Sequence, residues 1–170
     1  RFDLGRGDTN DVAAGADYLA REGLADPKRI AVTGISYGGF MTMTCTTQHP
    51  TKWAAGSALV PFVNWFTEHA SEREDLQYWD DQNMGDPVKD HDRWYANSPI
   101  FFIDRITAPI QLIAGGNDVR CPSEEAEQVR DKLIELERPV EMIVYADEGH
   151  IVRQLNNRVD AYRKRAAFID

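Results

Sequence analysis

Gly34-Ile35-Ser36-Tyr37-Gly38-Gly39 is the stretch that decides the fold. It has the form G-x-S-x-G. Before it runs the short apolar segment Arg29-Ile30-Ala31-Val32-Thr33-Gly34, and after it come Phe40, Met41, Met43 and Cys45. The first segment reads as a strand, the second as a helix that His49-Pro50 terminates. A strand passing straight into a helix must turn sharply at the serine. That turn holds Ser36 in a strained conformation and lifts its hydroxyl clear of the sheet. Side chains at the flanking positions are expected to clash, which accounts for Gly34 and Gly38, in an elbow that also contains Gly39. The turn aims the first helical N–H groups, that of Tyr37 included, at a developing oxyanion. Threonines are poor helix formers, so this helix needs burial to hold it.

Upstream of the elbow, Asp8-Thr9-Asn10-Asp11 supplies helix-capping chemistry ahead of Val12, Ala16 and Leu19 at helical spacing. Gly23 ends that helix and Asp26-Pro27 marks a turn. Downstream, Ala54 to Val60 reads as a second strand. An irregular insert of about residues 61–105 follows, rich in aromatics and acids. Ile110-Gln111-Leu112-Ile113-Ala114 is a third strand, bounded by Pro109 and Gly115-Gly116. Pro122 takes the first position of a helix whose early acids, Glu124, Glu125 and Glu127, favour the positive end of the dipole. Val129, Leu133 and Leu136 form its apolar stripe. Val140 to Tyr145 is a fourth strand. A last helix carries Leu155, Val159, Tyr162, Ala166 and Ile169 on one face. Strands alternating with helices predict an α/β fold, a three-layer α/β/α sandwich on a mostly parallel sheet. In such sheets ligands bind beyond the carboxyl ends of the strands.

Chemistry-bearing residues follow those ends. After the third strand, in Gly115-Gly116-Asn117-Asp118-Val119-Arg120, Asp118 stands where a triad acid belongs; its other reading is a cap for the turn or helix. Asp104 precedes its strand, and Asp147 is too near the histidine to orient it, so both are weaker rivals. After the fourth strand, Ala146-Asp147-Glu148-Gly149-His150 brings His150 to the same edge. Of the three other histidines, His49 ends a helix, and His69 and His91 read as solvated in the insert. The order Ser36, Asp118, His150, each after its own strand, is the α/β-hydrolase order.

Composition narrows the field. The chain has 170 residues, enough for one domain with a core, and is 42% hydrophobic and 28% charged. A net charge of −9 argues against nucleic acid and anionic membrane surfaces as partners. Cys45 and Cys121 make no disulfide framework or zinc motif, so cytoplasmic residence is the default expectation. No run of about 18 apolar residues is present to span a membrane. Arg1-Phe2-Asp3-Leu4 has neither an initiator Met nor a signal-peptide core, which reads as the interior of a longer protein.

The elbow Gly34 to Phe40, Met84-Gly85-Asp86-Pro87, Ser98-Pro99-Ile100, Asn117 to Pro122 and Glu148-Gly149-His150 together resemble the prolyl oligopeptidase family of serine peptidases. The likeness is to its acylaminoacyl-peptidase and dipeptidyl-aminopeptidase branch, and it covers nearly the whole chain. Asp11-Val12, Tyr18-Leu19 and Asp26 to Ile30 extend it. The resemblance implies a peptidase acting on short peptides, with no metal or organic cofactor. It implies Ser36, Asp118 and His150 as triad and the Tyr37 backbone N–H as one oxyanion donor. Cys121 stands where a valine is common, and Ile151 where a glycine often follows the histidine. The family's β-propeller, first sheet strands and His-Gly-Gly loop, which supplies the second oxyanion donor, are not in this sequence. The chain is therefore expected to be the C-terminal part of a catalytic domain. The missing N-terminal part of the same protein is its expected partner, and homo-oligomerisation is left open.

Weaker signals remain. Phe62 and Trp65, with Tyr37, are candidates for a substrate-pocket wall; the competing reading is that the insert's aromatics pack its own core. The run Ser71-Glu72-Arg73-Glu74-Asp75 reads first as a solvated helix face, and second as a site for a peptide's free amino terminus. Arg120 and Arg153 are candidates for contacts to a substrate carboxylate or carbonyl, or for structural ion pairs. A carboxylesterase on the same fold and a non-catalytic structural module are the alternative functions.

Overall fold

The computed structural model describes residues 3–170, so Arg1 and Phe2, at the head of the expected interior start, lie outside it. Four strands form one parallel sheet in the order β1 (Ala31–Ile35), β2 (Ala55–Leu59), β3 (Ile110–Gly115), β4 (Val140–Tyr145). Helix α1 (Gly7–Arg21) precedes β1, and α2 (Tyr37–Gln48) links β1 to β2. The segment between β2 and β3 holds α3 (Trp65–Ser71), α4 (Glu74–Met84), α5 (His91–Ala96) and a 3-10 stretch (Pro99–Arg105). Helix α6 (Ser123–Glu135) links β3 to β4, and α7 (Leu155–Ile169) follows β4.

The central strands β2 and β3 are buried throughout, while β1 and β4 are the edges. On one face, Met43 of α2, Ile103 and Ile106, and Ala126, Val129 and Leu133 of α6 pack on Ala58, Ile110, Leu112 and Ala114. The small residues of β2 let α2 sit close: a Cβ on Gly56 would lie 2.9 Å from Ile110 Cδ1 and 3.1 Å from Thr46 Cγ2. Burial does hold α2. Its threonines satisfy themselves on its own carbonyls, as in Thr42 Oγ1 to Gly38 O at 2.9 Å and Thr47 Oγ1 to Met43 O at 2.9 Å.

The other face carries a polar row. The register aligns Thr33, Ser57, Gln111 and Glu141 across all four strands. Ser57 Oγ meets Gln111 Oε1 at 2.8 Å, and Gln111 Nε2 reaches Glu141 Oε2 at 3.1 Å. Helix α7 covers this face, with Arg165 donating to Thr33 Oγ1 and Ala161 packed against Leu59, Ile113 and Tyr145.

Several local expectations are corrected. The expected α7 stripe is exposed at Leu155, Val159, Tyr162 and Ile169; the polar row selects the face with Ala161 and Arg165 instead. In α1, Thr9, Ala13 and Ala16 are buried while Val12 and Leu19 are exposed, because small side chains let α1 approach α2. Asp8 caps nothing from outside that helix; it lies within the first turn, after Arg6. Pro122 precedes α6 as its cap residue, and Glu127 falls beyond its first turn. Residues 61–105 are mostly short helices, whose apolar positions answer to tertiary contacts more than to period.

Candidate active site

The carboxyl ends of β1, β3 and β4 bring Ser36, Asp118 and His150 together. Ser36 follows β1 directly with φ 58° and ψ −121°, a conformation unfavourable for any side-chain-bearing residue. Its N–H is held by Leu59 O at 2.9 Å, and its carbonyl accepts from Phe40 N at 3.0 Å. A Cβ on Gly34 would overlap the Gly38 backbone, so that glycine is required by the turn. Gly38 differs from expectation: a Cβ there meets nothing within 4 Å, because the crowding falls on the strand side of the turn. Gly39 is constrained from below, where a Cβ would lie 2.7 Å from Leu59 O. Tyr37 opens α2, so its N–H has no acceptor within the helix.

His150 Nε2 lies 2.8 Å from Ser36 Oγ, and His150 Nδ1 lies 2.9 Å from Asp118 Oδ2. Asp118 is 6% exposed. Burial alone would raise its pKa, but hydrogen bonds from His150 and from Cys121 N and Arg120 N leave it below the usual carboxylate range. Those amides reach Asp118 Oδ1 at 3.0 and 2.8 Å. The turn contacts and the His150 contact thus coexist on one carboxylate, one oxygen for each. Asp147 bonds Gln154 and Asn157 instead of His150, and exposed Asp104 lies in the 3-10 stretch before β3.

The loops carrying Asp118 and His150 are tied together. Asn117 N donates to Glu148 O at 2.8 Å, and Asn117 Nδ2 to Ala146 O at 3.0 Å. Buried Glu148 accepts from Arg153 N at 2.8 Å and Gln154 N at 3.0 Å, a role that nothing in its sequence neighbourhood signals. Its carboxylate fastens the chain just after His150. Glu125 plays a comparable part in the wall beyond. Instead of facing the helix dipole from solvent, it is buried and accepts from Val63 N at 2.9 Å and Asn64 N at 3.0 Å.

A cavity of about 310 Å³ opens beside Ser36. Tyr37, Phe62 and Trp65 line it, and Phe62 and Trp65 also belong to a buried aromatic cluster with Phe40 and Trp94. Phe62 and Trp65 thus both line the cavity and pack the buried cluster. Tyr37 Oη donates to Asp8 of α1, which fixes its ring; burial first, then this bond, pushes its phenol pKa up. The cavity's remaining lining includes Glu68, Glu72, Asp80 and Cys121, of which only Glu72 belongs to the acidic run that the sequence offers for a peptide's amino terminus. His69 is not solvated: it packs on Trp94 and lies 3.2 Å from Asp80 Oδ2. Exposed His91 lies 3.5 Å from Asp92, and His49 reaches Asn10 Oδ1 at 3.1 Å. Arg120 reaches the cavity, while Arg153 lines the outer groove with His150.

A parallel sheet with a positive-φ serine after one strand, and an acid and a histidine after two others, is an α/β-hydrolase. The chain belongs to the prolyl oligopeptidase family, whose model matches residues 1–170. It is 30% identical over 169 residues to dipeptidyl peptidase family member 6 of Caenorhabditis elegans, covering 94% of this chain and 22% of that protein. It is 29% identical over 160 residues to acylamino-acid-releasing enzyme 2 of Oryza sativa subsp. japonica, covering 86% of this chain and 20% of that protein. A crystal structure of puromycin hydrolase superposes with a TM-score of 0.94 at 26% identity, over 99% of this chain and 26% of that one. An acylaminoacyl peptidase of Pyrococcus horikoshii gives 0.88 at 27%, over 98% of this chain and 28% of that one. The chain thus spans about a quarter or less of the curated relatives it matches. Among the described residues no helix is long and apolar enough to cross a membrane.

Proposed function

We propose that the chain carries the catalytic triad of a serine peptidase that hydrolyses short peptides. The observation behind this reading is the continuous hydrogen-bonded path from Asp118 through His150 to Ser36 Oγ. His150 Nε2 takes the Ser36 proton as Oγ attacks the peptide carbonyl. Asp118 holds the proton on Nδ1 and stabilises the imidazolium that forms. The Tyr37 N–H donates to the oxyanion. His150 then protonates the leaving amine, and water activated by the same imidazole hydrolyses the acyl-enzyme. Peptides are favoured as substrates because relatives are named as dipeptidyl peptidases and acylamino-acid-releasing enzymes.

The chain is read as the C-terminal part of the hydrolase domain. In support, β1 is an edge strand and Ile35 is exposed, so a preceding segment has a place to pair. That segment would supply the second oxyanion donor. Cytoplasmic residence stays part of the proposal, resting on two free, buried cysteines.

Pre-steady-state hydrolysis of a peptide anilide and a p-nitrophenyl ester by the full-length protein tests this reading. We expect both to be cleaved, with an ester burst equal to the enzyme concentration. Ester cleavage without peptide cleavage would make it a carboxylesterase.

A further inference from the structure

The floor of the Ser36 cavity does not match its aromatic walls. Glu68 is 2% exposed and lines the cavity; the Cys121 thiol bonds its carboxyl, but its Oε2 has no hydrogen-bond partner. Glu72 Oε2 is likewise buried without a partner, while a hydrogen bond joins the Glu72 carboxyl to Asp80. Asp80, 3% exposed, completes the group. The cations nearby do not neutralise it. His69 engages Asp80 at 3.2 Å, and Arg120, although its charge is felt by Glu72, makes no ion pair within 4.0 Å among the described residues. Burial, then the charge of Glu125, pushes the Glu68 carboxyl up to about 9, and burial also raises Glu72 and Asp80. A buried carboxyl oxygen left without a donor costs stability, and an entering cation would supply donors to both Glu68 Oε2 and Glu72 Oε2. No group of three acidic, histidine or cysteine side chains among the described residues is arranged to hold a metal ion. Tyr37, Phe62 and Trp65 meanwhile offer an apolar sheath for a methylene stem and faces for cation–π contact.

We infer that this cavity receives a lysine or arginine side chain of the substrate, at the residue contributing the scissile carbonyl, with Glu68 and Glu72 meeting the charged head. The inference rests on the peptidase reading for the position of the cleaved bond. An entering ammonium or guanidinium ionises the floor, and the displaced carboxyl proton leaves to solvent.

The test uses the full-length protein and N-acylated dipeptide anilides ending in lysine, arginine or norleucine. The basic substrates should exceed norleucine in kcat/KM by about 10-fold or more. Glu68→Gln and Glu72→Gln should each draw that ratio towards one; a ratio within one preparation is insensitive to lost folded protein. Norleucine matching the basic residues, or a ratio unmoved by both variants, overturns the inference. So does a norleucine anilide with a free α-amine outpacing the blocked lysine substrate, since the acids would then read a peptide terminus. Calorimetric binding of N-acetyl-lysinamide against N-acetyl-norleucinamide to the Ser36→Ala protein separates the two readings. Tighter binding of lysine supports the cavity assignment even if no peptide is hydrolysed, and equal binding contradicts it.

Discussion

Gly115, the last residue of β3, packs so closely on Gly149 that a Cβ at position 115 would overlap the Gly149 carbonyl oxygen. The contact sets the spacing between the two loops that carry Asp118 and His150. Any side chain at 115 must push the His150 loop outward, away from Ser36. Gly115→Ala should therefore lower kcat/KM by about 10²-fold, the scale expected for roughly 1 Å of misplacement. Circular dichroism on the same sample should show the fold retained.

The Asp118 carboxylate divides its two oxygens between His150 and the amides of Arg120 and Cys121. Asparagine can keep the amide contacts through its carbonyl while presenting an N–H to His150, which forces the wrong tautomer. Asp118→Asn should stay folded and lose on the order of 10⁴ in kcat. Near-normal turnover would assign the acid elsewhere.

Glu68 yields a signed pH dependence. Its folded pKa is raised to about 9, so between the ordinary carboxyl value and that point the folded state binds more protons than the unfolded state. This stability is fully present below the unfolded pKa and is lost as pH rises towards about 9. Glu68→Gln should flatten the fall in Tm between pH 5 and 9, recovering about 2–4 °C per kcal/mol relieved. An unchanged slope would mean that Glu68 does not carry the pH dependence.

Glu125 holds Val63 N and Asn64 N from α6. Glu125→Leu leaves both buried donors without an acceptor and should destabilise the protein by about 1–3 kcal/mol for each, read from urea unfolding. The variant should also weaken substrate binding, because Phe62 and Trp65 flank the released segment.

The sheet was legible because its strands are short, apolar and bounded by turn residues. The serine turn was legible because Gly34 and Gly39 answer to backbone crowding that any strand-to-helix elbow creates. Gly38 shows the limit, since the same motif glycine has open space around it. The α7 face was misread because its best apolar stripe is not the one the polar row on the sheet selects. The cavity floor was hidden for a related reason: Glu68 and Asp80 sit in charged stretches that look solvated, and only the tertiary fold buries them. Glu148 and Glu125 were hidden likewise, as acids whose partners are backbone amides brought close by the fold.

The central claim is that His150 and Asp118 activate Ser36. Treating the folded, full-length protein with a fluorophosphonate and locating the adduct by peptide mass spectrometry tests it most directly. We expect a single stoichiometric adduct on Ser36, abolished in Ser36→Ala and slowed by orders of magnitude in His150→Ala. An unlabelled Ser36, or an adduct confined to another residue, would contradict the account.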